Sequence, residues 1–115
     1  MNKIIILVVI LFFLGCSDTN SIVSIETIVK HDLVNIQELD STLLVELKYS
    51  TIDNFMKTDV YGDLETCYMR RIPAQMLVNA HEILKTEHPE LRLLIYDGLR
   101  PRSIQWTLWN TLSDV

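Results

Sequence analysis

An α+β fold, a small mixed or antiparallel sheet with two helices packed on it, is what this sequence predicts, and three observations carry the prediction. Residues 43–49 alternate, with Leu43, Val45, Leu47 and Tyr49 on one side and Leu44, Glu46 and Lys48 on the other, the period of a half-buried strand. Residues 91–96 are apolar on both sides of the same period, Leu91, Leu93 and Ile95 facing one way and Leu94 and Tyr96 the other, which places a second strand inside a sheet rather than at a wetted edge. Two further stretches change to the helical period, one between Pro73 and Pro89 and one after Pro101.

The chain of 115 residues has room for one small domain. Its 49% hydrophobic content overstates the core, because residues 1–15 carry much of it. Met1-Asn2-Lys3 is a short positive start, residues 4–14 are an unbroken apolar run, and Gly15-Cys16 closes it. Such a segment reads as a signal peptide, too short for a bilayer span of roughly 20 residues. Phe13-Leu14-Gly15-Cys16 also resembles a bacterial lipobox, with Phe where Leu is more usual; the resemblance implies that Cys16 becomes a lipid-bearing first residue. The protein would then be held on a membrane of the bacterial cell envelope, facing the periplasm or the exterior. The alternative is an ordinary cleavage site, with Cys16 its small residue.

Loss of residues 1–15 removes Lys3 and leaves 9 basic against 15 acidic residues, a formal charge of −6. That balance argues against nucleic acid, whose affinity depends on neutralising phosphates. With Cys16 committed to lipid, Cys67 is unpaired, and one thiol makes neither a disulfide framework nor a zinc knuckle.

Residues 16–31 are polar with scattered Ile and Val and no clear period, and read as a tether leading to a domain at 32–115. Leu33-Val34-Asn35-Ile36 is a short strand candidate and Asp40-Ser41-Thr42 a turn. The 43–49 strand delivers a loop in which Asp53-Asn54 either lines a pocket or closes Asx turns, the turn being favoured, with Phe55 as its anchor in the core. Tyr61-Gly62-Asp63 is a further turn. Pro73 opens the first helix, whose stripe is Met76, Leu77, Ala80, Ile83 and Leu84, and Pro89 ends it. His81 and His88 on this helix stand roughly 10 Å apart along the axis, too far to share an ion, and read as surface or boundary residues. His31 has no partner in sequence. The second helix turns Ile104, Leu108 and Leu112 inward with Trp109 beside them, while Trp106 on the other side would mark a surface normally covered.

Where the 91–96 strand ends, the chemistry changes abruptly to Asp97-Gly98-Leu99-Arg100-Pro101. Gly98 permits a backbone angle that other residues avoid, and Pro101 sets the first turn of the helix. Asp97 and Arg100 form either a structural ion pair or part of a catalytic site, and spacing alone favours the ion pair.

Two segments tilt that balance. Asp97-Gly98-Leu99-Arg100-Pro101 resembles the D-G-[YFL]-R-P segment of the zinc-dependent D-alanyl-D-alanine dipeptidases. Leu47-Lys48-Tyr49-Ser50-Thr51-Ile52-Asp53-Asn54-Phe55, followed by Val60-Tyr61-Gly62, resembles their L-[KR]-Y-[AS]-T-x-[DN]-N-F-x(4)-V-Y-G block. The resemblance runs from about Leu33 onward. It implies a zinc metallopeptidase that hydrolyses the cell-wall dipeptide D-Ala-D-Ala, with Arg100 as the stabiliser of the transition state and the 49–55 region bordering the cleft. Asp97 would orient Arg100, an inference from proximity. In the family the Zn2+ ligands lie downstream, in an S-x-H-x(6)-D segment and an E-x-x-H segment whose Glu is the base; neither occurs here. The expectation is therefore an N-terminal half with an incomplete C-terminal half, inactive by itself and binding no zinc. Two other readings remain open: a non-catalytic, lipid-anchored envelope binding module, and an unrelated anchored module in which Asp97 and Arg100 are only an ion pair.

Overall fold

Ser24 starts the first element of the chain: its hydroxyl accepts from Thr27 N at 3.2 Å, Glu26 sits in the first turn and Lys30 in the last, so both ends of α1 (Ile25–Lys30) are matched to the helix dipole. The computed structural model describes residues 22–112; residues 1–15, read as a signal peptide, Cys16, and the first part of the expected tether lie outside the described residues. The remainder of the tether is corrected. Val23 is buried in the core and Ile28 packs against it, so the domain begins about ten residues earlier than its hydrophobic pattern indicated. A six-residue helix is too short to show a period, which is why the sequence concealed it.

The α+β architecture is as expected, but the sheet is divided. Strand β1 (Leu33–Asn35) pairs antiparallel with β3 (Tyr68–Arg70), with Val34 opposite Met69. Strand β2 (Leu44–Val45) pairs parallel with β4 (Leu94–Ile95). Between β1 and β2 a single turn of helix, α2 (Ile36–Leu39), is capped by Asn35 Oδ1, which accepts from Gln37 N at 3.0 Å. Ile36, read as the end of a strand, is instead the fully buried first residue of that helix. Asp40 closes the turn after it by accepting from Thr42 N and Thr42 Oγ1 at 2.9 and 2.6 Å.

Alternation through 43–49 holds: Leu43 and Leu47 are buried and Leu44 and Glu46 exposed. The backbone bonds to the 93–96 segment continue to Lys48 N, which donates to Tyr96 O at 3.1 Å, before the chain tightens into a 3-10 turn at Lys48–Ser50. The 91–96 segment itself departs from expectation. Leu91, Leu94 and Tyr96 are 46%, 39% and 49% exposed, and among the described residues β4 has a partner on one side only. One apolar face of the segment is packed and the other is not, and among the described residues the strand stands at an edge rather than inside a sheet.

Two longer helices cover the strands. Helix α3 (Arg71–Glu87) begins two residues before Pro73, which sits in the first turn where its missing N–H is not needed, and it ends ahead of Pro89. Its inward face is rotated from the expected stripe. Ala74, Val78 and His81 are buried, while Met76 and Ile83 are 66% and 61% exposed. Ala74 is small and His81 polar, so the residues that face the core weigh least in an apolar count. Helix α4 (Arg102–Leu112) buries Ile104 and Leu108 as expected, but Trp109 and Leu112, expected inward, are exposed along with Trp106. Phe55 also fails as a core anchor; half exposed, it stands edge-on to Tyr49 with ring centroids 6.2 Å apart.

Candidate functional site

The end of β4 and the loop that follows the 3-10 turn meet at Asp97. One carboxylate oxygen, Oδ1, accepts from the Tyr61 hydroxyl at 2.7 Å and from Gly98 N at 3.0 Å. The other, Oδ2, accepts from Arg100 Nη2 at 2.5 Å. Arg100 Nη1 donates to Gln105 Oε1 at 3.1 Å, one turn into α4, so the guanidinium is braced from both sides of the bend. Its Cζ lies 4.8 Å above the centre of the Tyr49 ring. The two segments that carry the family resemblance, 47–62 and 97–101, are thus in direct contact around one cation.

Gly98 has a different task from the one expected. Among the described residues the glycine with positive φ is Gly62, in the Tyr61-Gly62-Asp63 turn, and not Gly98. At Gly98 the requirement is space, since a Cβ there would lie 2.7 Å from Cys67 Sγ and 2.8 Å from the Tyr68 carbonyl oxygen. The 97–100 bend rests directly on β3 in consequence, and Leu99 N donates to that same carbonyl at 2.7 Å.

The charges at the bend are stable ones. Burial pushes the Tyr61 phenol well above its ordinary range and the bond to Asp97 adds to the effect, so it stays protonated as a donor. Burial opposes the charge on Arg100, but Asp97 and Tyr61 more than offset it and the guanidinium ends above its usual value. Cys67, buried beneath, has its thiol pushed up to about 11 by desolvation and by the charge of Asp97, and is not a nucleophile at neutral pH. The arrangement is a fixed, permanently charged planar fork at a strand end, about a third exposed, with part of its donor set uncommitted.

The structure brings Asp97 and Arg100 together and sets both against the 49–62 block. Tyr61, Tyr49 and Gln105 are neighbours of the pair that residue spacing did not single out. Tyr61 lay in a quoted motif but read as a turn; an aromatic hydroxyl within that block was the signal. Asp53 and Asn54 do not reach the site. Asp53 pairs with the Lys48 ammonium at 2.6 Å, as does Glu46, and Asn54 Nδ2 donates to the carbonyls of Lys48, Thr51 and Thr58 while its Oδ1 accepts from Met56 N. The turn reading of Asn54 is the correct one.

No family model, no curated protein and no solved structure matches this chain. Among the described residues, no three His, Cys, Asp or Glu side chains are grouped so as to hold a metal ion. Asp97 and Arg100 do not fit a zinc site, since Asp97 is the sole carboxylate at the bend and its oxygens are taken by Tyr61, Gly98 and Arg100. His81 is corrected: far from being a boundary residue, it is fully buried, with Nδ1 3.2 Å from Asp40 Oδ2. His88 is exposed at the end of α3, 3.8 Å from Glu90.

Proposed function

We propose that this chain is the N-terminal part of a zinc-dependent D-Ala-D-Ala dipeptidase of the cell envelope, in which Arg100 stabilises the negative charge that develops when the peptide bond is attacked. The observation that supports this reading is the bracing of Arg100 by Asp97 and Gln105 over the Tyr49 ring. A donor held in place before the reaction loses no energy to reorientation as the oxyanion forms. Asp97 is the positioning residue: its second oxygen is committed to Tyr61, which aims the carboxylate at the guanidinium. The groups that would hold zinc and activate water belong, on the resemblance, to downstream segments, and the chain by itself releases no D-alanine. An anchor at Cys16 would hold the domain on a membrane of the cell envelope.

The test begins with the nucleotide sequence past the Val115 codon. An S-x-H-x(6)-D segment followed by E-x-x-H, in any frame, supports the reading, and its absence in all frames removes it. In the product that includes those segments, Arg100→Ala lowers D-alanine release by about a hundredfold to a thousandfold while zinc content is unchanged. Loss of zinc together with activity would instead make Arg100 a residue that holds the fold. Cys16→Ala moves the protein out of the membrane fraction; a protein that stays there is not anchored by that cysteine.

A further inference from the structure

Three of the chain's five arginines, Arg70, Arg100 and Arg102, line one cavity. It opens between α1, the β1–β3 pair and the 98–103 segment that leads into α4, and its volume of about 730 Å³ falls in the range of small-molecule sites. The walls are largely apolar, from Val23, Leu33, Met69, Leu99 and Pro101, and among the described residues no Asp or Glu contributes to them. His31 and the hydroxyl-bearing residues Thr27 and Ser103 complete the polar lining.

Arg71, Arg92 and Arg100 are satisfied. Arg71 pairs with Asp32 at 3.0 Å, Arg92 donates to the carbonyls of Pro89 and Leu91, and Arg100 is held by Asp97. Among the described residues, Arg70 and Arg102 have no ion pair. One unpaired surface arginine is ordinary. Here two share a cavity with Arg100, whose own charge is met by Asp97, on a chain whose net charge is −5. A field of one sign within low-dielectric walls concentrates an anion and repels a cation.

We propose that this cavity binds a phosphate-bearing ligand with an apolar body, Arg70 and Arg102 engaging the phosphate and the Val23, Leu33 and Met69 wall receiving the body. Planar guanidinium forks match phosphate oxygens two at a time, and a phosphate offers oxygens to donors arriving from several directions. Phospholipids and soluble organic phosphates share this chemistry. If Cys16 bears lipid, a phospholipid headgroup is the nearer source: Ile22, at the cavity, follows Cys16 by six residues, a reach of at most roughly 22 Å. The proposal does not depend on the hydrolytic reading of Arg100.

The full chain in zwitterionic detergent, at about 0.15 M salt to suppress unspecific attraction, is titrated calorimetrically with dihexanoyl phosphatidylglycerol and, separately, with glycerol 3-phosphate. Saturable binding of phosphatidylglycerol is expected, weakened about tenfold or more by Arg70→Gln or Arg102→Gln. Arg92→Gln, outside the cavity, leaves it unchanged. Arg70 and Arg102 are exposed, and an unchanged unfolding temperature verifies that their variants fold. Glycerol 3-phosphate binding with the same variant dependence, without phospholipid binding, upholds the cavity and assigns it to soluble phosphates. No saturable binding of either probe, or equal weakening by all three variants, overturns the proposal.

Discussion

The Tyr61 hydroxyl donates to Asp97 Oδ1 at 2.7 Å, joining two residues 36 positions apart in the chain. Through this bond the 49–62 block holds the carboxylate that holds Arg100. Tyr61 is fully buried and its ring lies 5.6 Å from that of Tyr49, so the contact is part of the core as well as of the site.

Tyr61→Phe keeps the ring and deletes the donor. Stability should fall by about 1 to 2 kcal/mol, the usual cost of removing one partner from a charged acceptor. Urea unfolding measures it, and an unchanged midpoint would show that the hydroxyl contributes no net stability.

Gly98→Ala should cost about 1 to 3 kcal/mol, because the added methyl meets Cys67 Sγ at 2.7 Å and the Tyr68 carbonyl at 2.8 Å. Combining it with Cys67→Ala should not restore the loss, since the backbone oxygen stays in place. Full recovery in the double variant would mean that the thiol alone is the obstacle.

Replacing His81 distinguishes a packing role from a polar one. Its side chain is fully buried and neither ring nitrogen has a hydrogen-bond partner in the structure, although Nδ1 lies close to Asp40. Asp40 does not need it: the Thr42 hydroxyl and N–H, with Lys85, hold that carboxyl well below its usual range. His81→Leu should therefore leave thermal stability equal or higher, whereas His81→Ala should lose at least about 2 kcal/mol by opening a cavity. A leucine variant as damaged as the alanine one would show that the imidazole is needed for more than its volume.

Much of the fold was legible because it rests on local pattern. The alternation of Leu43, Val45 and Leu47, the turn at Asp40, the helix that runs through Pro73 and stops ahead of Pro89, and the inward pair Ile104 and Leu108 all follow from period and from the restrictions on proline. Elements too short to repeat a period were illegible: α1, and the division of the strands into two pairs. The inward face of α3 was misread because His81 and Ala74 occupy it, and neither marks a core in a hydrophobic count.

At the site, the residues by themselves determined that an acid and a base stand three positions apart at the end of an apolar strand, with a glycine between them and a proline behind. What they could not determine is which groups arrive from elsewhere. Tyr61, Tyr49 and the Cys67–Tyr68 backbone reach the 97–100 bend from far along the chain, and burial there turns a surface-type ion pair into a braced cation. Spacing records neighbours along the chain, whereas desolvation and long-range hydrogen bonding depend on neighbours in space, and only folding supplies those.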